Sequence, residues 1–159
     1  METGPPYATL TRSNRQGEIC VRLNAVLADC FILYLRTKGF HWHMTGPHFR
    51  DYHLLLDDHS SQVFAMTDVL AERVRKLGGG TLRSIADVQR HGSLLNGHVG
   101  TSDAAGMLAQ MRDDNAKLAE SLREAHALCG DEGDVASTSV LEQFIDEAEG
   151  RIWFLSEMV

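Results

Sequence analysis

Apolar residues recur every three to four positions along four long stretches of this 159-residue chain, with polar residues between them. In the first stretch, from about Gly17 to Met44, one stripe holds Leu23, Val26 or Leu27, Cys30, Tyr34 and His41. Thr45-Gly46-Pro47 ends it, because Gly46 suits a left-handed terminal conformation and Pro47 suits the first turn of a new helix. The second helix is predicted from about Pro47 to Leu77, with Phe49, Leu56, Val63, Leu70, Val74 and Leu77 as its core seam and glycines 78–80 as its stop. A third fits 102–128, with Ser102 as N-cap and Leu108, Met111, Leu118, Leu122 and Ala125 on one face. After the breaker "GDEGD", a fourth fits about 135–157, with Val140, Phe144, Ala148, Ile152 and Leu155 inward.

The connections are tight, long and tight. In the long one, residues 81–101, "TLRSIADVQR" has room for a short helix and "HGSLLNGHVG" reads as loop. The pattern describes an all-α four-helix bundle with one long crossover between helices two and three. One domain over 17–159 follows, preceded by a flexible tail over 1–16 that carries two prolines and no apolar period. Such bundles host cytokine-like ligands, haem proteins and di-metal proteins, so the fold does not decide the function.

Composition narrows the choice. The formal net charge is −7, and Lys38, Lys76 and Lys117 are the only lysines, which argues against a large phosphate-binding surface on one subunit and suits cation binding. Cys20, Cys30 and Cys129 are odd in number and lack CxxC spacing, so they are expected as buried thiols in a reducing compartment. No segment reads as a signal peptide or a membrane span, and a cytoplasmic location is expected.

The second helix carries a second face. His53 and Asp57 are four apart, as are Asp68 and Glu72, so each pair lies on adjacent turns. All four fall in a sector about 100° wide, centred roughly 110° from the core seam. Phe64, Ser60, Ser61 and Ala71 are interleaved with them. The midpoints of the two pairs are about 22 Å apart along the axis, so one ion cannot touch both. A second copy of the helix, antiparallel across a two-fold axis, brings His53 and Asp57 of one subunit opposite Asp68 and Glu72 of the other, twice. His41, at the end of the first helix, joins from the side. Two imidazoles and three carboxylates suit iron, manganese or zinc. Trp42 is a redox neighbour or a core anchor, and His43 an outer hydrogen-bonding group or a surface residue. Each element alone has a plainer reading: a solvated acid pair, a surface or core histidine. Asp58 and His59 read as surface residues, His48 as a helix-start residue, and His91, His98 and His126 as structural. The paired Glu-x-x-His motifs of an in-bundle di-iron site are absent.

From about 20 to 157 the chain resembles the Dps family, the bacterial mini-ferritins. The segments that carry the likeness are "FHWHMTGPHFRDYHLLLDD" and "TDVLAERVRKLGG". The resemblance implies a ferritin-like bundle whose ferroxidase ligands are His41, His53, Asp57, Asp68 and Glu72, at most two irons per site, on the two-fold interface. It implies a shell of twelve subunits, Fe(II) oxidation with hydrogen peroxide preferred over oxygen, and a ferric mineral inside. Asp134 resembles the acidic residues of the family's three-fold pores, though Asp131 or Glu132 could serve instead. Members that condense DNA often use a lysine-rich tail; here the amino-terminal segment offers only Arg12 and Arg15, so DNA binding should be weak unless many copies act together. Two further readings are a nucleoid protein that chiefly coats DNA, and a helical interaction protein with a polar dimer face.

Overall fold

A computed structural model describes residues 14–96, 100 and 103–159. Five α-helices form in the order α1 (Asn14–His43), α2 (Phe49–Lys76), α3 (Ile85–His91), α4 (Ala104–Asp131) and α5 (Val135–Ser156), with a 3-10 turn at Leu94–Asn96. The four-helix bundle with a short helix in its long connection is therefore the observed architecture. Helix α1 starts at Asn14, inside the segment assigned to the tail; residues 1–13 lie outside the described residues.

Long-range contacts fix the directions. Arg15 meets Glu132, Arg22 meets Glu124 and Arg36 meets Asp114, so α1 and α4 run antiparallel. Gln62 meets Arg151 and Arg73 meets Asp134, so α2 and α5 are antiparallel as well. Since the tight 44–48 turn reverses α1 into α2, α2 and α4 must be parallel, and the long connection has to travel the length of the bundle. It is tied down on the way. The Asp29 carboxylate accepts from Ser93 N at 2.6 Å, Ser93 Oγ at 2.7 Å and Leu94 N at 3.0 Å, and Arg36 donates to the Leu94 carbonyl at 2.8 Å.

The turn signals act as predicted, with shifts of a residue or two. Gly46 adopts φ 108° and Gly78 φ 78°, both in the region that favours glycine. Pro47 lies in the turn, and α2 begins two residues later with His48 at its N-cap. Asp103 caps α4 by accepting from Gly106 N; Ser102 lies outside the described residues. Most of the predicted seam is core: Leu56, Val63, Leu70, Val74, Leu108, Met111, Leu118, Leu122, Ala125, Phe144, Ala148 and Leu155 are all buried. Phe49 is not: it is 43% exposed and its ring lies against His53, with centroids 5.0 Å apart. Ser60 faces inward, bonded to the Asp57 carbonyl, and not onto the ligand face. His59 is buried, not a surface residue. Cys20, Cys30 and Cys129 are all buried and form no disulfide, as expected.

Candidate metal centre

The α1–α2 turn brings the end of one helix against the first turns of the next. His41 and His53 stack there, with ring centroids 3.7 Å apart and planes 18° from parallel. Their hydrogen bonds are reciprocal. His41 Nδ1 lies 2.7 Å from the His53 carbonyl oxygen, and His53 Nδ1 lies 2.8 Å from that of His41. A carbonyl can only accept, so each Nδ1 is the protonated nitrogen. In the neutral rings each Nε2 then carries the lone pair, and the backbone has set both the orientation and the tautomer that metal ligation needs.

Asp57 lies one turn beyond His53, and its Oδ1 is 4.0 Å from His41 Nε2. That oxygen accepts from Lys38 Nζ at 2.7 Å, and the bond and charge of Lys38 hold the carboxyl below its ordinary range. A cation already sits where a metal would bind this carboxylate. His41, His53 and Asp57 thus lie near one another without converging on a common point, and two imidazole nitrogens and one anionic oxygen are donor types that suit Fe(II) and similar ions.

Asp68 and Glu72 remain apart from these three. Both are exposed on α2, and Glu72 pairs with Lys76 four residues on, at 3.5 Å. Among the described residues, no three His, Cys, Asp or Glu side chains of the single chain converge at metal-binding distance. Among the described residues the bundle interior holds no cluster of metal-ligating side chains; the guanidinium of Arg151 lies there, among Asn115, Gln62 and Met66.

The remaining predicted residues separate. Trp42 is 62% exposed, so it is no core anchor; it lines an apolar groove with Leu35, Phe40 and Ile85. His43 Nδ1 bonds the Gly39 carbonyl of its own helix at 2.7 Å. Asp134 is occupied as the N-cap of α5: it accepts from Ser137 N at 3.1 Å and Ser137 Oγ at 2.5 Å, and pairs with Arg73 at 2.6 Å. Burial pushes the Asp134 carboxyl up, but the Ser137 hydrogen bonds and Arg73 outweigh it and leave it below its ordinary range. His126 pairs with Glu142 at 3.0 Å. Sequence reasoning missed Lys38, whose only signal was its place one turn before His41.

Comparison with known proteins follows the same lines. The Ferritin-like domain family matches residues 21–159. An uncharacterized low temperature-induced protein of Nostoc sp. is 34% identical over 151 residues, 94% of this chain and 84% of that one. The DNA protection during starvation protein of Halobacterium salinarum is 33% identical over 138 residues, covering 84% of this chain and 74% of its own. A Dps protein from Bacillus brevis of known structure superposes with a TM-score of 0.88 at 26% identity, over 93% of this chain and 99% of that chain.

Proposed function

Because this chain belongs to the ferritin-like family, and within it to the Dps proteins, we propose that it oxidises Fe(II) at sites completed by a second copy and stores the ferric product. The observation that carries the reading is the reciprocal His41–His53 clamp, which orients two imidazole nitrogens beside Asp57 while the second acid pair of α2 lies too far along the rod to join them. Antiparallel pairing of two α2 helices places Asp68 and Glu72 of one protomer against that half-site of its partner.

In the reaction two Fe(II) ions each give up one electron. Hydrogen peroxide takes both, its O–O bond breaks, and with two protons it leaves as two waters. Carboxylates favour the more highly charged Fe(III), so the acid pair assists the loss of the electron. Consuming Fe(II) and peroxide together prevents hydroxyl radical formation, which is how a Dps protein of this kind protects DNA without gripping it. Trp42, next to His41 in the chain, supplies an oxidisable ring. Zinc and manganese accept the same donors and act as competitors.

The supporting experiment is Asp68→Ala. It should abolish rapid peroxide-driven Fe(II) oxidation while leaving helical circular dichroism intact; unchanged initial rates reject the assignment. A twelve-copy shell of the 17.6 kDa chain should show a mass of about 210 kDa. Acidic side chains near the start of α5, Asp134 or its neighbours Asp131 and Glu132, are proposed to line the entry pores.

A further inference from the structure

Arg151 of α5 is 1% exposed, the largest side chain that the fold buries completely. Its guanidinium meets only neutral acceptors: Nε donates to Asn115 Oδ1 at 2.7 Å, Nη1 to Gln62 Oε1 at 3.4 Å and Nη2 to Met66 Sδ at 3.9 Å. The fold treats its other enclosed arginines differently. Arg36 is paired with the buried Asp114 at 2.5 Å, and Arg73 with Asp134 at 2.6 Å. Among the described residues Arg151 forms no ion pair with a carboxylate. Glu147, one turn earlier, accepts from Gln143 at 2.9 Å, and its charge favours the Arg151 cation only from beyond ion-pair distance. Buried charges are ordinarily compensated, because an unpaired one loses its hydration for nothing.

Arg151 borders a cavity of about 570 Å³ between α2 and α5. His59 lines the same cavity; it is 5% exposed, and its Nδ1 has no hydrogen-bond partner among the described residues. A guanidinium only donates, so what completes it must accept. An imidazole nitrogen beside it can donate to the same acceptor. Asp58, Asp146 and Glu147 stand around the opening and repel every anion in proportion to its charge, so a singly charged one is opposed least. We propose that Arg151 and His59 form a binding site for one small monovalent anion, a halide or a small carboxylate, that serves as the missing countercharge and links α2 to α5.

Bromide is the probe. Crystals of the full chain grown in sodium bromide should show an anomalous peak within hydrogen-bonding reach of Arg151. The thermal midpoint should rise saturably with bromide at constant ionic strength, as for any ligand held only by the folded state. His59→Phe, which keeps the ring volume, should weaken apparent bromide affinity about tenfold by removing one bond to a charged acceptor. Arg151→Met should remove the saturable rise, and formate should displace bromide if the site takes carboxylates as well. No peak at Arg151, or a Glu147 side chain turned onto it in the bromide crystals, overturns the proposal. So does a bromide response that is the same in wild type and His59→Phe, an outcome readable even if Arg151→Met fails to fold.

Discussion

Mixing two inactive variants tests the shared site most sharply. His53→Ala with Asp57→Ala removes the oriented half; Asp68→Ala with Glu72→Ala removes the acid pair. All four residues belong to one helix, α2, but the pairs are about 22 Å apart at 1.5 Å rise per residue. In a two-fold dimer each site takes one half from each protomer. When the two variants pair, one site inherits both lesions and the other inherits none. Random assembly from equal amounts makes half the dimers mixed, and each mixed dimer has one working site of two. Coexpressed or reannealed protein should therefore show about a quarter of the wild-type rate of peroxide-driven Fe(II) oxidation, from two parents with almost none. Stopped-flow absorbance of the ferric product reads this directly. If every chain carried its own complete site, mixing would restore nothing. A mixture that stays at the parental level, with mixed dimers confirmed by native mass spectrometry, refutes the shared-site geometry; a parent that retains half its activity refutes the ligand assignment.

Other outcomes follow from groups around the site and in the core. Lys38→Met should raise Co(II) affinity several-fold, measured by calorimetry, since the ammonium that competes for Asp57 is gone. Burial pushes the Cys30 thiol up to about 12 and the Cys129 thiol up to about 11, so these two should not react with a disulfide reagent at pH 8 in the native protein, which titrates at most Cys20, whereas the unfolded chain should titrate three thiols. Asp134→Asn should cost about 2 kcal/mol at pH 7 through the weakened tie to Arg73, seen in chemical denaturation. Because the folded Asp134 carboxyl lies below its unfolded value, its contribution is present above the ordinary carboxylate range and fades as pH falls through the folded value; the gap between wild type and variant should close in acid. Leu122→Ala, at a site with no exposure, should destabilise by roughly 2–5 kcal/mol.

The parts of the fold that were legible are those set by local period. Leu56, Val63, Leu70 and Val74 recur at helical spacing, and whatever packs on α2 must meet that stripe. Phe49 follows the same period yet stays exposed: Tyr52 of the same turn packs against the core, whereas the Phe49 ring meets His53 instead. Met66 and Leu141 are core residues just outside the predicted stripes, where a wide interface takes in neighbouring positions. Arg151 and His59 were illegible for a different reason. Polar residues enter a core only if distant groups receive them, and Asn115, 36 residues from Arg151, gives no sign of that in a sequence.

The candidate site divides along the same line. Spacing exposed the acids and imidazoles of α2, since i and i+4 positions share a face whatever the tertiary structure. What spacing could not expose is the clamp between His41 and His53, because its acceptors are backbone carbonyls, which every residue has. Only the closed 44–48 turn brings each ring to the other's carbonyl. That turn therefore does more than join two helices: it selects the tautomer of both proposed ligands before any ion arrives. A lengthened turn would keep all five proposed ligand residues and both helices, yet free the rings to flip. Metal affinity should then fall although no ligand has changed, which separates the contribution of ligand identity from that of preorganisation.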